Sequence, residues 1–255
     1  MKDKQLKKSI KRKMIPINKR LSTESDLYLY NETLIKLYKS QIDLENKKRV
    51  LEKLNSLNIN GCLIPKYALY TNDILCGIQM EYLYDYDELY DVLSNKTLDF
   101  ETRKDIAIKI CNIILEIEKN DAIYHDIHED NFLIKDNIVK TIDMDNILLP
   151  YRFDKEEYEI NRLESRRRLI YLCLKLLLNT NDLNINSFSN SRLRCVYTLS
   201  NTKQRQLYDF VFLDTDKEIN PLDYIDYFNE DYTKSIKKIL IWGKYERKNN
   251  KFKRY

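Results

Sequence analysis

The 255-residue chain predicts an α+β protein. Two observations carry that expectation. Short strand-like runs broken by polar turns fill residues 14–80, and apolar stripes at helical spacing dominate from residue 100 onward. A third observation is an isolated pair of strand-like runs among those helices. Phe132–Ile134 and Val139–Ile142 flank the polar turn Lys135-Asp136-Asn137, which predicts a β-hairpin.

Taken in order, residues 1–13 read as a basic, disordered arm. Met14 to Tyr38 holds three alternating runs, IPINKRL, LYLY and TLIKLY, separated by Ser22–Asp26 and by Asn31-Glu32. This predicts a small three-stranded antiparallel sheet, in which strand alternation sets Lys36 on the face opposite Ile35 and Leu37. Asp43–Leu57 predicts a helix with a stripe of Leu44, Val50, Leu51 and Leu54. Ile64–Leu69 and Ile74–Met80 predict two further strands around Thr71-Asn72-Asp73. A short helix is expected over Asp87–Leu93. A long amphipathic one is expected over Phe100–Asn120, with Ile106, Ile110, Ile113, Ile114 and Ile117 in its stripe. Tyr158–Leu178 predicts a helix whose second half is apolar and buried, with Arg162, Arg166, Arg167 and Arg168 on a solvated face. Helix-like segments at Lys203–Leu213, Leu222–Phe228 and Tyr232–Trp242 complete the chain before a basic tail at 244–255.

The hairpin organises the chemistry. Its two ends meet, so Asp126 before it and Asp143 after it converge at one mouth, with Asn131 between them. Two carboxylates and a carboxamide offer hard oxygen ligands and one general base, a set suited to Mg²⁺ and a phosphoryl group. His125 and His128 are the only histidines, and with the two aspartates they form a second candidate set, for a transition-metal hydrolase.

The run from Asp126 to Asn131, DIHEDN, has the spacing of the H-x-D-x-x-x-x-N loop, and Ile142-Asp143-Met144-Asp145 falls where D-F-G or I-D-[WFY]-[DE] would stand. In these motifs the chain resembles the protein-kinase-like superfamily, which includes protein kinases and aminoglycoside/choline-type kinases. The resemblance implies a two-lobed fold: an N-lobe over residues 14–80 and a mainly helical C-lobe over 81–243. It implies that ATP is the phosphoryl donor with Mg²⁺, that Asp126 is the catalytic base, and that Asn131 and Asp143 hold the metal. Lys36 matches the third-strand lysine that contacts the phosphates. The helix after it should supply a glutamate partner, Glu45 or Glu52, of which Glu45 stands closer to the expected position. Met80, Glu81 and Leu83 match the linker that borders the adenine, with Met80 behind the base. Tyr124 stands in place of the usual histidine and His125 in place of an arginine. His128 and Asp145 resemble the small-molecule branch, and no A-P-E follows. The glycine-rich phosphate cover is absent: the chain has three glycines in all, and Ser22, Thr23 and Ser25 occupy that turn.

An atypical Ser/Thr protein kinase is the expected function. A small-molecule kinase and a pseudokinase that binds without turnover are the alternatives. The charge supports a macromolecular acceptor: residues 1–20 and 244–255 together carry +13, so with a net charge of +4 the body between them is −9. Basic ends suit an anionic partner. No apolar run approaches the length of a membrane span, the first residues lack the apolar core of a secretory signal, and five cysteines without a C-x-x-C pair read as buried thiols. A cytoplasmic location follows as the expectation.

Overall fold

The structure is a computed structural model that describes residues 1–17, 24–95, 98–180, 183, 191–213 and 218–239. Its strands and helices form an α+β architecture around a six-stranded mixed sheet. The strands are β1 (Lys2–Gln5), β2 (Ile15–Pro16), β3 (Ser25–Tyr30), β4 (Thr33–Tyr38), β5 (Tyr67–Thr71) and β6 (Ile74–Glu81). They lie in the order β1-β5-β6-β4-β3-β2, with β1 parallel to β5 and every other pair antiparallel. A second sheet of three strands, β7 (Asp87–Glu88), β8 (Phe132–Lys135) and β9 (Ile138–Thr141), lies among the helices.

Three hairpins close in the same way. Asn31-Glu32, Asn72-Asp73 and Asp136-Asn137 each put two consecutive residues in the left-handed region, with φ between 43° and 64°. Paired left-handed residues give the two-residue turn whose twist matches that of the flanking strands, and Asn and Asp tolerate it without glycine. A chain with almost no glycine thus builds its hairpins from polar side chains, five of the six being Asn or Asp and the sixth Glu32. One glycine is required by contact instead. Gly77 lies opposite Leu37 in the β4–β6 register, and a Cβ there would sit 2.3 Å from the carbonyl oxygen of Lys36.

The longest helices begin where capping residues stand. α1 is Lys8–Lys11, and α2 (Leu44–Ser56) starts at Asp43, whose carboxylate accepts from Asn46 N at 3.0 Å. After α3 (Leu89–Asn95), α4 (Phe100–Lys119) is capped by Asp99 and α5 (Lys155–Leu178) by Asp154. α6 (Ser191–Leu199), α7 (Thr202–Phe212), α8 (Leu222–Ile225) and a last helix over 230–239 follow. The long faces of α4 and α5 bury Ile106, Ile110, Ile114, Leu169, Cys173 and Leu176, and this core continues through α2 to Ile78 and Met80 of the sheet.

Several expectations change. Residues 1–13 are an ordered part of the fold: β1 extends the sheet, and Leu6 packs with Ile35 and Leu69 on the face away from α2. Basic side chains on an edge strand resemble a solvated tail in composition, because the edge backbone supplies the order. Asp87–Leu93 divides into β7 and the start of α3. The arginines of α5 are mostly braces. Arg166 is buried and grips Glu118 of α4 at 2.7 Å, and Arg162 pairs with Glu218 and Glu159. Of the thiols, Cys111 and Cys173 are buried and Cys195 is exposed. No described helix is long and apolar enough to cross a membrane. Ser22, Thr23, the end of the Tyr232–Trp242 segment and the 244–255 tail lie outside the described residues.

Candidate active site

The hairpin β8–β9 ties two loops together. Before it, residues 126–131 end in a 3-10 turn, Glu129–Asn131; after it, Met144–Asn146 forms another. Ile142 N donates to the Asn131 carbonyl at 3.0 Å, just beyond the last ladder pair, Phe132 with Thr141. Tyr124 adds a second tie. Its buried hydroxyl donates to the Ile142 carbonyl at 2.7 Å, joining the start of one loop to the start of the other. α5 supports the same segment from beneath: Ser165 Oγ donates to the Tyr124 carbonyl at 2.9 Å, Arg168 Nη1 to the His125 carbonyl at 3.1 Å, and Lys175 pairs with Glu129.

Above this frame is a cleft of about 910 Å³, within the range of ligand pockets. Lys36 and Leu34 of β4, Met80 and Glu81 at the end of β6, Tyr82 and Leu83 just after it, and Asp126, His128, Asn131 and Asp143 below all line it. A second cavity of about 590 Å³, beside Gly61 and α4, gathers none of these groups. Asp126, Asn131, Asp143, Lys36, Met80, Glu81 and Leu83 therefore share one cleft. Glu45 does not take part. Its side chain is 70% exposed and pairs with Arg49 at 3.5 Å; Glu52 is also exposed. Neither is the partner of Lys36.

Asn131 is anchored through its nitrogen. Nδ2 donates to the Asp126 carbonyl at 2.9 Å and to Asp126 Oδ2 at 3.1 Å, which turns Oδ1 to the other side of the amide. His128 completes the setting of Asp126. Its Nδ1 accepts from Asp130 N at 3.3 Å, so the ring proton lies on Nε2, 3.5 Å from Asp126 Oδ2. This contact holds the Asp126 carboxyl below the usual range and raises His128 above its own, while burial lowers His125.

Asp143 sits in the left-handed region at φ 60°, a conformation that aspartate tolerates and that turns the chain into the 144–146 turn. Its Oδ1 accepts from Lys36 Nζ at 2.7 Å and its Oδ2 from Asn146 Nδ2 at 3.1 Å. Lys36 is 4% exposed and also donates to Asp145 Oδ1 at 2.9 Å. Burial works against its charge, but Asp145 and Asp143 outweigh that cost and hold the ammonium above its ordinary range. Asp145 is fully buried, and despite the burial Lys36 and Lys47 keep it ionised, below the usual carboxylate range.

No protein-family model matches the chain, and no curated protein matches it. Asp143 and the Asn131 carboxamide oxygen are hard donors in the same cleft, and together they fit a small dication that keeps most of its water, as Mg²⁺ does. Among the described residues no three His, Cys, Asp or Glu side chains gather as a metal-ligand cluster, so the histidine-based hydrolase set is not assembled there.

Two polar groups at the site were not singled out from sequence. Lys47 of α2 is buried against Asp145 and Asn146. The signal was present: Lys47 continues the buried stripe Val50, Leu51 and Leu54 by three and four residues. Asn146 bonds both Lys47 and Asp143 from the same turn.

Proposed function

We infer that the chain is an ATP-dependent phosphotransferase of the kinase-like, two-lobed type, moving the γ-phosphoryl group to a hydroxyl. The observation that carries this reading is the meeting of two sets in one cleft. The carboxylate–carboxamide pair Asp126–Asn131 faces the ammonium–carboxylate pair Lys36–Asp143, beneath the Met80–Leu83 segment.

In this mechanism Asp126, held ionised by His128, accepts the hydroxyl proton as the acceptor oxygen attacks the γ-phosphorus. The bond from that phosphorus to the bridging oxygen breaks, and ADP leaves with the electron pair. Asn131 and Asp143 would hold Mg²⁺, which would neutralise charge on the phosphate oxygens. Lys36 would donate to the phosphates, and Met80 would border the base. Alignment and electrostatic stabilisation supply most of the acceleration.

The rim of the cleft carries Glu81, Asp85, Glu88, Asp91 and Asp130. An acidic rim favours a cationic acceptor, so a serine or threonine in a basic protein segment is the proposed substrate. A small cationic alcohol is the second reading, favoured by the same rim and by His128 and Asp145. Residues 1–13 no longer argue for a free basic arm, since they form β1 and α1.

The test is thermal melting with ATP, with and without Mg²⁺. Wild type should gain several degrees only with both present. Asp143→Ala should lose the gain, and Asp126→Ala should keep it while transfer to an acceptor falls by roughly 10³-fold or more. A wild-type melting point unmoved at millimolar Mg²⁺–ATP would refute the reading.

A further inference from the structure

The partner of Lys36 is a loop carboxylate, and the helix facing it presents a cation. Asp145 Oδ1 accepts from Lys36 at 2.9 Å. On its other side Lys47 Nζ lies 3.5 Å from Asp145 Oδ2 and donates to the Asp145 carbonyl at 3.1 Å. Lys47 also donates to Asn146 Oδ1, Asn146 Nδ2 donates to Asp143 Oδ2, and Asp143 Oδ1 returns to Lys36. Five side chains thus close a ring of hydrogen bonds and ion pairs across α2, β4 and the 143–146 turn.

A buried lysine at the end of an apolar stripe is costly to desolvate, and a leucine would pack there without that cost. The charge balance gives the lysine a purpose. Lys36 between Asp143 and Asp145 alone would make a group of net charge −1, the wrong sign for a polyphosphate. Lys47 brings the four to zero, and the exposed Glu24 carboxylate, 3.3 Å from Lys47, returns the five to −1. With Asp143 set aside for a cation, Lys36, Lys47, Asp145 and Glu24 sum to zero, and without Lys47 they would sum to −1.

We propose that Asp145 and Lys47 form the positioning device for Lys36, with the acid on the loop and the cation on the helix. Asp145 orients the Lys36 ammonium toward the phosphates, and Lys47 holds Asp145. The device rests on the phosphotransferase reading and adds to it two positioning residues and a fixed α2: the helix is tied to the metal-loop side by its own lysine.

The experiment is titration calorimetry of Mg²⁺–ATP on the full chain, with ligand-free melting measured beside it. Lys47→Met and Asp145→Asn should each weaken binding roughly tenfold, as loss of an outer partner does at metal and phosphate sites. Lys47→Arg should stay within about threefold, and the double variant should bind no more weakly than the weaker single one. A merely structural lysine would lower the ligand-free melting point, leave the affinity of the folded protein unchanged, and add independently to Asp145→Asn. Wild-type affinity in Lys47→Met, or losses that multiply in the double variant, overturns the proposal, as does an equal loss on Glu45→Gln. If Lys47→Met does not fold, Asn146→Ala carries the same expectation and the same refutation. A wild type that fails to bind sinks the phosphotransferase reading and this proposal together. Binding that is lost on Asp143→Ala but unmoved by Lys47→Met sinks the proposal alone.

Discussion

His128 shows how one side chain sets the state of another. With its proton on Nε2 it faces Asp126, and each residue shifts the other toward its charged form. The folded-state value of His128 lies above its ordinary 6.5, so its contribution to stability is complete below that value and is lost as pH rises through the raised one. Asp126 moves the other way: its contribution is present above the ordinary carboxylate range and is lost as pH falls through the lowered value. The pair therefore stabilises most in mildly acidic solution. His128→Gln should lower the melting point at about pH 6 and leave it nearly unchanged at about pH 9. Both side chains are about two-fifths exposed, so the loss should stay below about 1 kcal/mol. A pH-independent loss would assign His128 a packing role only.

At the scale of elements, the strand that carries Lys36 depends on a close approach. Gly77 lets β6 lie against the Lys36 carbonyl, and Gly77→Ala must push the two strands apart. The expected cost is about 1–3 kcal/mol in denaturant unfolding, with weaker nucleotide binding, because Lys36 would shift from Asp145. An unchanged midpoint would mean the ladder absorbs the methyl. The elements also show what sequence can and cannot reveal. The hairpin was legible because its signals are local: alternation on both sides of Asp136-Asn137, then fixed acids at each end. α2 was legible within one residue at each end because Asp43 caps it and its leucines repeat. The face α2 turns inward was misjudged. A glutamate was expected there, and the buried polar residue is a lysine, a side chain almost never fully buried without partners. Those partners, Asp145 and Asn146, lie far along the chain, and no local pattern announces a contact of that separation. The first strand was missed for a related reason, since LysAspLysGln has the composition of a solvated tail and its order comes from β5.

For the whole molecule, the six-stranded sheet is held from two sides. α2 and the helical core cover one face; Leu6, with Ile10 and Met14 beside it, covers the other. Leu6→Ala should cost about 2–3 kcal/mol, more than its place beside a basic segment suggests. A change within 0.5 kcal/mol would mean the outer face needs no cover. The parallel pairing of β1 with β5 also bears on how the chain reaches this state. Lys2 is matched to Tyr67, so the earliest strand of this sheet must wait for four more strands to be made before it can pair. Until then Leu6 and Ile35 have no Leu69 to meet, and the outer face stays greasy and open. The outer face is thus sealed by the earliest strand of the sheet across a long stretch of chain, and slow sealing is when an unpaired edge is most exposed to a neighbouring chain.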